Sequence, residues 1–304
     1  MREIETMDEA LTFCRALGSP VRMQMMRILT KRRAINLNEL AKELNLTNGA
    51  ITPHIKTLHE AGIIEIENIS GKRGLMKSCR LKENKFMLDF QQEAEYQNKQ
   101  QYQTELPVGS YTRYNVSPTC CIASTERIIG EVDDNRYFDD PSRTEAGILW
   151  FCKGFVEYRI PNYLKSTSTI TELQISFEIS SEAPGVCEDW PSDIYFYFND
   201  TCLGYWTSPG DFSTPKGIYT PDWWFPNWNQ YGLLKLLSVN ETGTYIDGRK
   251  ISDVKLSELN LNHTSPMALR FEIPDTAENI GGLTIFGKGF GNYNQDIKAR
   301  VIYQ

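Results

Sequence analysis

Five tryptophans, Trp190, Trp206, Trp223, Trp224 and Trp228, fall close together and alternate with Tyr205, Tyr219 and Tyr231 and with Asp193, Asp200, Asp211 and Asp222. The segments Ser208-Pro-Gly-Asp-Phe212 and Thr220-Pro-Asp-Trp-Trp-Phe-Pro226 read as loops rather than strands. Aromatic rings and carboxylates carried on loops suit a sugar. A ring packs on the apolar C–H face, and Asp, Asn or Gln takes the hydroxyls. The residues expected at such a site are Trp190, Asp193, Trp206, Asp211, Tyr219, Trp223, Trp224 and Trp228. Any one of these tryptophans taken alone fits a core position better than a contact. A glycosidase would need one carboxyl as acid and another as base or nucleophile on either side of the bond. Glu182, Glu188, Asp193 and Asp211 are available, but sequence spacing sets no two of them at one cleft. Binding without catalysis is therefore the expectation. Phe286-Gly-Lys-Gly-Phe-Gly-Asn292 lacks the Gly-Lys-Ser/Thr ending of a phosphate loop and reads as a strand turn. Cys120-Cys121 has no CxxC spacing and reads as two buried small side chains. His54, His59 and His263 are the only histidines and match no metal-site spacing, so neither metal nor cofactor is expected.

The elements that must position these residues differ sharply between the two ends of the chain. Residues 1–90 hold 15 Lys and Arg against 11 Asp and Glu, a net of +4; the remainder holds 17 against 28, a net of -11, and together they give -7. All 6 Trp and 15 Tyr lie beyond residue 90. This asymmetry predicts two units with different partners, the basic one facing nucleic acid. In the first unit, Thr6-Met-Asp-Glu9 has the form of a capping box opening a helix with Met7, Ala10, Leu11, Cys14 and Leu17 on its apolar face. Gly18 fits a left-handed stop, and Ser19-Pro20 starts a second helix carrying Val21, Met25, Ile28 and Leu29. A third, short helix begins near Asn38 and buries Leu40, Ala41 and Leu44. After a tight turn at Asn45 and Leu46, Thr47 caps a fourth helix with Ile51, Ile55 and Leu58 inside and Gly62 at its end. The period then changes to two. Ile64 and Ile66, the basic turn Ser70-Gly-Lys-Arg-Gly74, and Leu75, Lys77, Cys79 and Leu81 form a hairpin. Helices joined by a tight turn and followed by a basic hairpin predict a winged helix-turn-helix.

Ala16-Leu-Gly-Ser-Pro-Val-Arg22, Arg27-Ile-Leu29, Glu39-Leu-Ala-Lys-Glu-Leu44 and Ile55-Lys-Thr-Leu-His-Glu-Ala-Gly-Ile63 resemble the ArsR-type winged-helix repressors over about residues 5–85. The resemblance implies a homodimer, a pseudo-palindromic double-stranded DNA operator and release of DNA when an effector binds. Metal-sensing members carry paired cysteines where this chain has Ile35-Asn-Leu-Asn-Glu-Leu40, which makes metal sensing by that route improbable. Pro53 also departs from the pattern, and it predicts a fourth helix that bends or begins late. The face opposite Ile51, Ile55 and Leu58 carries Gly49, Pro53, Lys56 and Thr57, with Asn48 and Thr52 at its edge. Lys56, Lys72, Arg73 and Lys77 are the expected phosphate donors, and Asn48, Thr52 and His54 the candidates for base edges.

Between the units, 89–106 is polar, glutamine-rich and free of Pro and Gly, as either a linker or a dimerisation helix would be. From residue 107 to 304 the pattern is strand-like. Leu173, Ile175, Phe177 and Ile179 alternate with polar neighbours as in a half-buried strand, and Ile194, Phe196 and Phe198 share a face. The expected architecture is a multidomain α+β chain. It has a winged-helix head over 1–88 and an all-β sandwich, a jelly roll, over 107–304. Ser181-Glu-Ala-Pro-Gly185, Trp190-Pro-Ser-Asp-Ile194, Leu203-Gly-Tyr-Trp-Thr-Ser-Pro-Gly-Asp-Phe212 and Phe286-Gly-Lys-Gly-Phe-Gly-Asn-Tyr293 make the whole similar to ArsR-type regulators with a C-terminal β-sandwich. That resemblance implies control by a small ligand such as a carbohydrate. The alternatives are a carbohydrate-active enzyme, or a structural or protein-interaction sandwich, tethered to a DNA-binding head. The acidic start, the odd cysteine count and the lack of a membrane-length apolar run predict a cytoplasmic protein with no membrane partner.

Overall fold

The computed structural model describes residues 2–4, 6–71, 74–83, 85–88 and 100–304. The chain divides into two compact units, Met1–Asn98 and Lys99–Gln304. In the first, strands β1 (Arg2–Ile4) and β5 (Phe86–Leu88) pair in parallel. Helix α1 (Met7–Leu17) is capped by Thr6, whose hydroxyl accepts the N–H of Glu9 at 3.2 Å. Its buried stripe is Ala10, Phe13 and Ala16, while Met7, Leu11 and Cys14 are exposed, one position off the face expected from the sequence. Phe13 sets the difference: its ring meets Phe86 at 4.8 Å, which draws that side of the helix onto β5. Gly18 is not left-handed (φ -69°, ψ 44°), because Ser19 and Pro20 start α2 (Pro20–Leu29) at once.

Helix α3 (Leu37–Glu43) is capped by Asn36, and the turn to α4 (Asn48–Glu60) uses Asn45 in the left-handed region at φ 53°. Helix α4 begins at Asn48 and not late, since the Thr47 hydroxyl accepts the N–H of Ala50 at 3.2 Å. Pro53 lacks the N–H that would bond Gly49, but Gly49 is exposed near the helix end, where water can serve its carbonyl. Strands β3 (Ile64–Gly71) and β4 (Gly74–Leu81) form the hairpin, and β2 (Ile35–Asn36) pairs with β4. Met25, Leu29, Leu40, Leu58 and Ile63 form the fully buried centre of this unit. Burying side chains of this size contributes about 1.5–3 kcal/mol each, which is what holds four short helices together.

The second unit is one 13-stranded, nearly closed sheet. Its strands are β6 (Gln100–Leu106), β7 (Arg113–Ala123), β8 (Ile128–Ile129), β9 (Ile148–Arg159), β10 (Ile170–Ser180), β11 (Ser192–Phe198) and β12 (Thr201–Ser208). They are followed by β13 (Leu233–Asn240), β14 (Gly243–Ile246), β15 (Arg249–Ser252), β16 (Ala268–Ile273), β17 (Leu283–Phe286) and β18 (Ile297–Tyr303). The second half of the 89–106 stretch is thus neither linker nor helix but strand β6, antiparallel to β18. Tyr102 and Leu106 turn inward and Gln101 and Gln103 outward, a period of two that the glutamines obscure in the sequence. Strand β17 pairs with both β9 and β10 and so joins the two halves of the sheet. The Phe177, Phe196 and Phe271 rings meet at 4.9–5.8 Å in the core between them. At the seam, the Ser252 hydroxyl donates to the Leu203 carbonyl at 2.7 Å, linking β15 to β12.

Strand β10 is not half-buried: Gln174, Ser176 and Glu178 are buried as well. The loop 287–293 covers that face. Its backbone N–H groups at Asn292 and Tyr293, with that of Gly232, donate to the Glu178 carboxylate at 2.8–2.9 Å. The glycine-rich loop therefore cradles a carboxyl group of its own chain. Burial pushes the Glu178 pKa up to about 8, against the pull of these donors. Gly291 makes the cradle possible, at φ +68° with no room for a Cβ against the carboxylate. Gly291→Ala is expected to lower stability by about 2–4 kcal/mol, combining backbone strain with displacement of a buried, hydrogen-bonded carboxyl, as read by chemical denaturation.

Candidate functional site

In the first unit, the exposed face of α4 carries Asn48, Gly49, Thr52, Pro53 and Lys56, with His54 and Thr57 half-buried at its margins. Ile51, Ile55 and Leu58 anchor the opposite face, so these side chains share one surface because the helix period puts them there. The Asn48 side-chain amide donates to Oδ1 of the Asn38 side chain at 2.8 Å, which ties the start of α4 to α3. Thr52 and Thr57 donate their hydroxyl protons to the carbonyls of Asn48 and Pro53 at 2.7 and 3.0 Å, leaving oxygen lone pairs outward. Lys56 is exposed and pairs loosely with Glu60 at 3.7 Å, and Lys77 is exposed on β4. A groove of about 270 Å³ lies between the start of α4, Asn38 and Met76 and Lys77 of β4. Lys72 and Arg73, expected at the wing tip, lie outside the described residues. Among the described residues no cluster of His, Cys, Asp and Glu could hold a metal ion.

In the second unit the predicted sugar residues separate into groups. Trp223, Trp224 and Trp228 do gather, in the loop between β12 and β13. Trp224 is buried and meets Trp150, Trp223, Trp228 and Phe290 at 5.0–5.8 Å. Asp211 is buried, bonded at Oδ2 by the Ala183 N–H at 3.4 Å and unpartnered at Oδ1. Burial raises its pKa to about 7. Asp193 takes the Thr207 hydroxyl at 2.6 Å and the Asn279 N–H at 2.9 Å, a structural knot rather than a free acceptor. Trp190 stands at the surface beside Pro209. Trp206 lies in a different groove, with the Lys235 ammonium 4.3 Å above its ring. The Tyr219 N–H is held by the Gly291 carbonyl.

The concave site that the aromatic loop does border is a cavity of about 160 Å³. Its walls include Trp150 of β9 and Trp228, and facing them Glu182, Asn229 and Thr119, with Asp133 at the exposed mouth. Glu182 accepts from Asn229 and Thr284 at 3.1 Å each and from Thr119 at 3.5 Å. Burial first, then the charge of Asp211, pushes its pKa well above the usual carboxylate range. Trp150, Asn229, Thr119 and Asp133 were not among the residues expected from the sequence. Trp150 lies on a strand 78 positions before Trp228, so only the sheet brings it there.

A helix-turn-helix whose second helix presents a polar, basic surface, followed by a hairpin, is the winged-helix class of DNA-binding head. An HTH domain family profile matches residues 21–76. An uncharacterized HTH-type transcriptional regulator of Methanocaldococcus jannaschii is 32% identical over 74 residues, which are 24% of this chain and 77% of that protein. The chain belongs to the HTH-type transcriptional regulators. Among solved structures, a transcriptional regulator homologue from Pyrococcus horikoshii OT3 is 27% identical, covering 25% of this chain and 76% of that one with a TM-score of 0.21. An ArsR family transcriptional regulator is 22% identical over 24% of this chain and 71% of its own, also with a TM-score of 0.21. Among the described residues no helix is long and apolar enough to cross a membrane.

Proposed function

We propose that this protein is an ArsR-type, homodimeric repressor whose hold on its operator is set by a sugar bound in the jelly-roll-like β unit, and that it catalyses no reaction. The observation that carries this reading is the combination, in one chain, of a helix-turn-helix with an exposed polar face and a β unit with a tryptophan-walled cavity lined by carboxyl and amide groups. Ligand can shift DNA affinity only as far as its own affinities for the DNA-bound and free states differ. A gel-shift titration on the operator, with and without monosaccharides, tests it; DNA affinity untouched by every sugar would reject the ligand half. The exposed apolar face of α1, Met7, Leu11 and Cys14, supports a dimer, since one more helix laid on it would cover apolar area now in water. Leu11→Glu is expected to shift the protein to a monomer in sedimentation at micromolar concentration while leaving its helical content unchanged; an unaltered dimer would place the interface elsewhere.

A carbohydrate-active enzyme is the second reading, favoured by one observation: Glu182 and Asp133 both line the cavity, one buried and one at the mouth. Environments that separate two carboxyls in this way resemble those of an acid and a base. Turnover of aryl glycosides, abolished in Glu182→Gln, would establish that reading over the repressor without chemistry.

A further inference from the structure

Four indoles meet in the aromatic cluster, and their N–H groups divide into two kinds. Trp223 Nε1 donates to the Thr125 carbonyl at 2.6 Å, and Trp224 Nε1 to the Asn229 carbonyl at 2.9 Å. Trp150 and Trp228, the two that line the cavity, donate to nothing among the described residues. Trp150 is only 4% exposed overall, and its N–H is not among the buried polar atoms without a partner, so what solvent it meets it meets at the cavity. Facing these donors are acceptors with spare capacity. Both N–H groups of the Asn229 amide are engaged, on Glu182 and Thr284, which leaves its carbonyl oxygen. Asp133 takes the Cys120 N–H at 3.0 Å on Oδ1, leaving Oδ2 at the mouth.

We propose that this cavity is the ligand site of the β unit and that it holds one uncharged polyhydroxylated ring, with Trp150 and Trp228 donating to it and Glu182, Asn229 and Asp133 receiving its hydroxyls. This rests on the sugar-responsive reading above and gives it a place and a ligand class. The volume of about 160 Å³ is below the roughly 300–1,000 Å³ of pockets that engulf larger ligands, so a single ring fits and an oligosaccharide does not. Charge narrows the class from both sides. Asp133 at the exposed mouth repels a phosphorylated or carboxylated sugar. An ammonium ligand would suit rings and carboxylates, but it has no lone pair for two unpaired indole N–H groups. A hydroxyl both donates and accepts.

The test titrates the full-length protein with D-glucose, D-galactose, D-xylose, L-arabinose, glucose 6-phosphate and tetramethylammonium, followed by calorimetry and by the tryptophan indole N–H resonances. An uncharged sugar is expected to bind saturably and to move the Trp150 and Trp228 indole resonances more than those of Trp223 and Trp224. Affinity should fall about tenfold or more in Trp228→Ala, and likewise in Trp150→Phe, which keeps a packing ring and removes only the donor side of the indole. A sugar that binds wild type and both variants alike, or that moves only the Trp223 and Trp224 resonances, overturns this site but leaves a sugar-responsive regulator standing. Binding of glucose 6-phosphate or tetramethylammonium in place of the uncharged sugars overturns the ligand class. No binding by any of the six overturns both this site and the sugar reading beneath it.

Discussion

Raising the pH from 5 to 8 is expected to lower the melting temperature of the β unit by roughly 5–10 °C. The cause is a set of carboxyls that folding takes out of water. Burial raises the Asp211 pKa to about 7 and that of Glu178 to about 8, and burial with the nearby Asp211 charge raises that of Glu182 well above its ordinary value. Between the ordinary carboxylate range near 4 and these raised values, the folded protein holds protons that the unfolded chain has released. Unfolding therefore releases protons in this window, and stability falls as pH rises through it. Asp211 alone contributes on the order of 3 kcal/mol across the window, and 1 kcal/mol moves the melting point of a domain near 200 residues by roughly 2–4 °C. The geometry agrees in direction: Asp211 Oδ1 is buried with no donor to satisfy an ionised oxygen. Calorimetric scans at pH 5, 6, 7 and 8 measure the slope. Asp211→Asn should make it shallower, with Glu178 and Glu182 still contributing, and should melt higher than wild type at pH 8. A melting temperature that stays level or rises from pH 5 to 8 in the wild type would show that these carboxyls ionise inside the fold without penalty.

Legibility in the sequence followed the range of the interactions. The helix-turn-helix could be read because each of its signals is local: Thr47 caps α4 within three residues, and Ile51, Ile55 and Leu58 mark its inner face. The α1 face came out one position off because Phe13 packs on Phe86, a contact no local period encodes. In the β unit, Trp228 and the loop around it were visible as a cluster of rings, but their partners were not. Trp150, Glu182 and Thr119 reach the cavity from different strands and loops through the pairing of the sheet. Trp206 and Asp193 lie in the same stretch of chain as Trp228, yet the sheet carries them to other surfaces. A count of aromatic and acidic residues finds the stretch that carries a site. Which of those residues share a wall is set by strand register, and single-sequence periodicity does not contain it.

Replacing Lys56 and Lys77 together by alanine is expected to make the salt dependence of operator binding markedly shallower. Each lysine that meets a phosphate releases counterions worth about 0.9 in the slope of log K against log salt, so two per head in the proposed dimer remove roughly 3.6. A fourfold rise in salt would then weaken the variant roughly a hundredfold less than the wild type, while at low salt the variant would be the weaker binder. Both side chains are exposed, and the single contact of Lys56, to Glu60 at 3.7 Å, is of the i,i+4 kind worth only about 0.3–0.5 kcal/mol. Folding should therefore be untouched, and an unchanged melting temperature is the control. Asn48→Ala and Thr52→Ala should behave differently, altering which operator sequences are preferred with little effect on the slope, since base edges carry sequence information and phosphates do not. Fluorescence anisotropy on a labelled operator at four salt concentrations separates the two effects. If the lysine pair leaves the slope unchanged, DNA does not lie along the exposed face of α4 and β4, and the phosphate contacts must come from another surface of the head.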